Sequence, residues 1–429
     1  MSGAPTPTSI SELGDPGPAG GLPTGSRRRP AVLIAVVAMG LDSALLGLIA
    51  PLLPVIERRT GAGEFELGLA LAAYAIPILF VSLPLGRLAD SVGRRPVLVA
   101  GLLLIAVGSA VIAASTSLLP LIVGRGVQGV GSAASWIAAL ALISDFAPRE
   151  KKGEAIGFAL AATSVGAIAG PAIGGLTGDS ISFEFPFLLV AGLAATVAVA
   201  AAVAVPAGVA VERSGLVLRL PGLVRLVGSP EVRATALAVI AGAGALGLVD
   251  VVAPLDADQR LGLSAASIGA LFAVAIAFDA AVAPIAGRAG DRVGRQPVAL
   301  FGLVVLAGSM LALALLPGTA GLAVGLVAVS VGISALFAGS VPWLDEAFGD
   351  LDRAYGFGFL NVILAVGFTV GPLLGGGVYD LGGPVLAYGL ATAAILSVAV
   401  VVAGGGAAAP ATDAEVEGEA SGISTATSR

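Results

Sequence analysis

Twelve long apolar runs leave this chain few ways to fold. They cover residues 31–56, 67–86, 97–115, 118–144, 153–178, 184–205, 233–255, 265–286, 298–316, 319–343, 354–378 and 383–405. A helix that crosses the hydrocarbon core of a bilayer needs about 20 mostly apolar residues. The runs are continuous and rich in Ala, Val, Leu, Ile and Gly, whereas a transmembrane barrel would show alternating segments of about ten residues. Composition agrees, with 57% hydrophobic and only 12% charged residues. A soluble domain carries about 25% charged residues. Lipid is therefore the main solvent of this surface, and the fold class read from the sequence is an all-α integral membrane protein with twelve transmembrane helices.

The same composition removes whole classes of chemistry. The chain has no Cys and no His, which excludes disulfides, thiolate or imidazole metal sites, Cys nucleophiles and Ser-His-Asp triads. No G-x-x-x-x-G-K-[ST] phosphate loop is present either. Neither an enzyme, a metal site nor a cofactor is expected. Basic residues are scattered between the apolar runs, so no nucleic-acid partner is expected. Residues 1–30 are rich in Pro, Gly and Ser and read as a disordered tail without the features of a signal peptide. Residues 406–429, with Asp413, Glu415, Glu417 and Glu419, read as a second, acidic tail. The linker 206–232 places Leu216, Leu220, Leu223 and Leu226 among Arg219 and Arg225, the pattern of an interfacial amphipathic helix.

Lys and Arg in short loops orient a membrane protein. With both termini in the cytoplasm, 18 of the 22 cationic residues fall on the inner side. Only Arg58, Arg59 and Arg260 fall outside, and Arg125 lies within a span. A multi-pass protein of the plasma membrane with both tails cytoplasmic is the expectation.

An internal repeat divides the chain. GRLADSVGRRP begins at Gly86 and GRAGDRVGRQP at Gly287, an offset of 201 residues. GAIAGPAIGG carries Pro171 and GFTVGPLLGG carries Pro372, the same offset. Two unrelated motifs at one spacing indicate a duplicated six-helix unit, one of the transporter plans. The expected organisation is an N-terminal bundle over 31–205 and a C-terminal bundle over 233–405, joined by the linker. In the first motif the glycines permit a tight turn, and Asp90 is placed to cap a helix N-terminus or pair with Arg94. In the second, glycines clear one helix face for close packing, and a proline removes a backbone hydrogen bond and bends the helix.

On these motifs, over residues 31–405, the chain resembles the major facilitator superfamily and, within it, the twelve-helix drug:proton antiporter branch. The loop signature matches at Gly86, Asp90, Gly93, Arg94 and Arg95, and again at Gly287, Asp291, Gly294 and Arg295. The second copy departs with Gln296 in place of Arg95, which points to a weaker second latch. A fourth-helix signature matches LIVGRGVQGVGSAA, with Arg125, Gln128, Gly129 and Gly131. The fifth-helix signature matches at Gly166, Gly170, Pro171, Gly174 and Gly175. The resemblance implies a cytoplasmic gate at the loop motifs, antiport at the fifth-helix motif, and a cavity lined by the first, fourth, seventh and tenth helices.

Charges inside lipid are costly and usually functional. Four lie within the spans: Asp42, Arg125, Asp250 and Asp279. At about 1.5 Å per residue, Asp42 and Arg125 fall at similar depth, roughly 10–12 Å from the outer surface. On cavity-lining helices the two can face each other. Burial favours a neutral carboxyl and a neighbouring guanidinium favours a charged one, so such a pair is placed either to carry a proton or to hold two helices together. Asp250 reads as a second acidic site or as a residue reaching the outer headgroups. Asp279 reads as local packing. Gln128, Trp136 and Asn361 are further cavity candidates, and Trp343 reads as an interface anchor.

The function expected from residues and resemblance together is secondary transport: proton-coupled antiport exporting a hydrophobic or cationic small molecule. Symport importing a small metabolite is the alternative. The expected partners are that substrate, protons and the bilayer, and the expected state is a monomer.

Overall fold

The computed structural model describes residues 28–148, 151–206, 229–348 and 353–405. Among them α-helices and one 3₁₀ turn are the only regular elements. The first half holds α1 (Arg28–Leu48), α2 (Glu64–Val92), α3 (Arg94–Ala113), α4 (Leu118–Phe146), α5 (Lys152–Ser180) and α6 (Glu184–Ala204). A 3₁₀ turn at Ala50–Leu52 and a short helix at Leu53–Thr60 extend α1 into one span. The second half holds α7 (Pro230–Leu261), α8 (Ala265–Val293), α9 (Arg295–Leu315) and α10 (Gly318–Phe348). The helical stretch Arg353–Gly405 is broken at Gly382 and Gly383. Gly383, at φ 72° and ψ −172°, occupies a region open essentially only to glycine, and the break separates α11 (353–381) from α12 (384–405). Eleven stretches are long and apolar enough to cross a membrane, and this break makes the count twelve.

Helix begins at Arg28, so the expected tail ends before residue 30. Likewise α7 begins at Pro230, inside the expected linker, where Ser229 Oγ accepts a hydrogen bond from the Val232 N–H (3.2 Å). The tail 406–429, almost all of the tail 1–30, and the amphipathic segment of 206–232 lie outside the described residues.

Glycines decide how closely these helices approach, because lipid and protein interior are equally apolar and packing replaces the hydrophobic effect. A methyl group at Gly166, Gly170 or Gly174 of α5 would sit 1.9–2.3 Å from carbonyl oxygens of Gly40, Ala44 and Leu48 on α1. The equivalent glycines of α11, Gly367 and Gly371, press on Ile240, Ala243 and Gly244 of α7 in the same way. Both α5 and α11 run through their prolines as continuous helix. The Pro171 and Pro372 rings fill the spaces beside Gly47 and Gly247.

Two seams join the halves, α5 against α8 and α2 against α11. They are copies of one another. A methyl at Gly269 would lie 2.3 Å from the Pro171 carbonyl oxygen, and one at Gly68 would lie 2.3 Å from that of Pro372. Two carboxylates fasten these seams at the end remote from the repeated loop motifs, called here the distal end. Asp179 Oδ2 accepts a hydrogen bond from the Ala266 N–H (2.9 Å), and Asp380 Oδ2 accepts one from the Phe65 N–H (3.1 Å). Acceptors and donors alike are 201 residues apart, so the fastening obeys the repeat. Arg58 pairs with Asp258 across the halves at 2.7 Å, and Gln259 Nε2 donates to Glu57 at 3.2 Å. The distal end is closed.

Candidate functional site

A cavity of about 380 Å³ lies between the halves, within the roughly 300–1,000 Å³ typical of small-molecule sites. Its lining runs from Ile49 and Asp250 down to Gly86 and Gly358, toward the end that carries the loop motifs. Asp42, Arg125, Trp136, Asp250 and Asn361 all face it.

Asp42 on α1 is buried but well supplied with donors. Ser132 Oγ donates to Asp42 Oδ2 at 2.9 Å. Tyr74 on α2 donates to Ser132 Oγ at 2.7 Å and places its Oη 3.3 Å from Asp42 Oδ1. Arg125 on α4 lays its guanidinium over the Tyr74 ring, 4.4 Å from Cζ to the centroid, a cation–π contact. Its Nη1 donates to Gln128 Oε1 at 3.0 Å, and Gln128 Nε2 donates to Ser109 Oγ at 2.9 Å. Six side chains from α1 to α4 thus form one connected cluster, and Arg125 Nε is its one buried nitrogen without a hydrogen-bond partner among the described residues.

At the motif end, Gly93 and Gly294 take φ 94° and 98°, a left-handed turn that glycine adopts without strain. That turn lets the next residue reach back. Arg94 pairs with Asp90 and lies 3.5 Å from Asp145. Arg295 pairs with Asp291 at 2.8 Å and lies 3.3 Å from Glu346. Each latch ties three helix ends of one half together.

The family model of the Major Facilitator Superfamily matches residues 32–230 and 235–426. The chain belongs to that superfamily. It is 34% identical over 180 residues to the MFS-type transporter ppzB of Metarhizium rileyi, an alignment covering 39% of this chain and 36% of that protein. It is 38% identical over 166 residues to the class G tetracycline resistance protein of Vibrio anguillarum, covering 38% of this chain and 42% of that one. The chain therefore spans about two fifths of the length of these curated relatives. A solved structure, a bacterial homolog to the human lysosomal transporter Spinster in an inward-facing and unoccupied conformation, superposes with a TM-score of 0.69 at 16% identity, over 90% of this chain and 96% of that one. The superfamily is one of membrane transporters, which are not enzymes, and this member carries twelve helices of membrane-spanning length.

The transporter's geometry corrects several sequence expectations. Asp42 and Arg125 do not pair directly; Tyr74 stands between them, accepting the cation on its ring face and offering its hydroxyl to the carboxylate side. Gln128 does not line the cavity, being fully buried behind Arg125. Of the four helices expected to line it, α10 contributes no lining residue, while α2 and α11 do. Phe337 of α10 packs on Gly242 of α7 and helps to line a second crevice with Asp279, Ser334 and Asp291. There Ser334 Oγ donates to the Asp279 carboxylate and to its carbonyl oxygen (2.9 Å), tying α8 to α10. Trp343 packs half-buried against the core. Gln296 does not weaken the second latch, because Arg95, its counterpart, takes no part in the first. Gln296 Nε2 instead donates to the Val402 carbonyl (2.8 Å).

Tyr74, Ser109, Ser132, Asp145 and Glu346 escaped the sequence reading. The last two carried a readable signal, since they stand 201 residues apart at the ends of α4 and α10. Tyr74, Ser109 and Ser132 carried none, for single hydroxyls are common in apolar helices.

Proposed function

We propose that this transporter is a proton-coupled antiporter exporting a hydrophobic or cationic small molecule. It works as a monomer in the plasma membrane, with both termini and the motif end on the cytoplasmic side. One observation carries the reading. The cluster Asp42, Tyr74, Ser109, Arg125, Gln128 and Ser132 has no polar echo in the second half. Its repeat equivalents are Ala243, Ala275, Met310, Leu326, Val329 and Ile333. A packing role would leave no reason for such asymmetry, whereas a single proton-carrying site accounts for it. Ser132 donates to Asp42 in its ionised form, and Tyr74 Oη offers a lone pair to its protonated form, so the cluster accommodates both. The loop motifs form the gate, and the Gly166–Gly175 motif packs α5 against α1 and α8 so that the seam excludes leak. The tetracycline resistance relatives support a drug-like cargo, and the inward-facing Spinster homolog matches a cavity that extends toward the cytoplasm.

In proteoliposomes with an imposed pH gradient, substrate should move opposite to the protons. Movement with the protons would establish the symport alternative. Asp42→Asn should lose gradient-driven transport while downhill exchange persists. Full gradient-driven transport in Asp42→Asn would remove the coupling role.

A further inference from the structure

Among the described residues three charged side chains face the central cavity, and two of them have close partners. Asp42 accepts from Ser132 and lies beside Tyr74; Arg125 donates to Gln128 and stacks on Tyr74. Asp250 has neither a hydrogen bond nor an ion pair among the described residues, and Arg125 is the cation that acts on it through space. It is half-buried on α7, across the cavity from the proton cluster. One turn earlier, Gly247 is pressed against Pro372, which fixes this part of α7 against α11. The cavity it faces has a largely apolar and aromatic wall, with Leu46, Ile49, Trp136 and Phe368 in the lining. An unpartnered carboxylate in such a wall leaves a desolvated charge that a ligand can neutralise.

We infer that Asp250 selects the substrate, binding the charged centre of a lipophilic monovalent cation whose apolar body lies on the aliphatic and aromatic wall. The charge count supports one positive unit. With Asp42 ionised, the described lining of the cavity holds two carboxylates and one guanidinium, a net charge of minus one. One proton on Asp42 or one monocation at Asp250 brings it to zero, so proton and cargo relieve the same excess charge. This inference rests on the antiport reading for its exchange partner but not for its binding site.

The test is equilibrium binding to the purified full-length protein in nanodiscs, with no gradient present. Tetraphenylphosphonium serves as the cation and triphenylphosphine oxide as a neutral aryl probe. The wild type should favour the cation. In Asp250→Asn the ratio of the two affinities should fall by roughly tenfold or more, as expected for loss of a close charge partner. Asp250→Glu keeps the charge and should keep the preference, which separates charge recognition from damage to the fold. An unchanged ratio in Asp250→Asn, or a wild type with no preference for the cation, would overturn the inference. Loss of pH-driven efflux from the wild type with the preference intact would instead defeat the antiport reading and leave Asp250 as the cation site.

Discussion

Tyr74 does two jobs with one side chain, and they can be separated. Its ring supports Arg125 and its hydroxyl serves Ser132 and Asp42. Tyr74→Phe keeps the ring, so the fold should hold while proton-driven transport slows, by roughly five- to tenfold if the lost hydrogen bond is worth about 1–1.5 kcal/mol. Tyr74→Ala removes the ring as well and should cost roughly 3–5 kcal/mol of stability. Initial rates in proteoliposomes and melting in detergent would read the two effects apart. Equal losses from Phe and Ala would show that the hydroxyl alone matters. Next to this residue, Gly129 allows α4 to touch α2. A methyl there would lie 2.1 Å from the Tyr74 carbonyl oxygen, so Gly129→Ala should destabilise by roughly 1–3 kcal/mol. Gly192→Ala, with nothing within 4 Å of the added carbon, should melt like the wild type or slightly higher.

Between helices, the pair of carboxylate caps is the feature with most leverage. Asp179 and Asp380 each receive a backbone N–H from the opposite half, so opening the distal end must break both. A cap of this kind is worth about 1 kcal/mol, and losing two should shift the balance of states toward distal opening by roughly thirtyfold. The natural absence of cysteine makes this measurable. A cysteine introduced at Ile49, at the distal limit of the cavity, should react faster with an impermeant reagent from outside in the Asp179→Ala/Asp380→Ala protein than in its parent. Unchanged labelling would mean that the glycine seams alone close that end. The twelve helices and both motif copies were legible because length and a fixed offset survive in any apolar chain. The repeat also foretold the caps, had Asp179 and Asp380 been compared. Which face each helix turns inward was not legible. Hydropathy does not distinguish lipid from protein interior, and the expectation that α10 rather than α2 lines the cavity came from the resemblance alone. The Asp42–Arg125 pairing was inferred from depth and from the cavity-lining helices that the resemblance implied, and neither carries information about a ring standing between.

Across the whole molecule the two halves share a backbone plan and divide the chemistry. Charged and hydroxyl groups gather in the first half, while the second supplies Asp250, Asn361 and the apolar face of α11, with Val362, Leu364, Ala365 and Phe368. The three cations that break the inside bias, Arg58, Arg59 and Arg260, are each paired with a carboxylate at the distal end, so the exceptions belong to its closure. The latches at the other end are equivalent in bonding but not in burial. Arg94 is 12% exposed and Asp145 22%, against 23% for Arg295 and 59% for Glu346. Exposed pairs contribute about 0.2–1 kcal/mol, whereas breaking a buried one costs several. The first latch should therefore dominate. Asp145→Asn, like Asp90→Asn, should lower turnover by on the order of tenfold, while Glu346→Gln should lower it by about twofold. In neither case should KM move much, because both carboxylates lie outside the cavity lining. Steady-state export rates for the three variants, at matched amounts of folded protein, would check this. Equal losses from Asp145→Asn and Glu346→Gln would show that the latches act as a symmetric pair, with burial irrelevant to the gate. A rise in KM would place Asp145 in the path of the substrate.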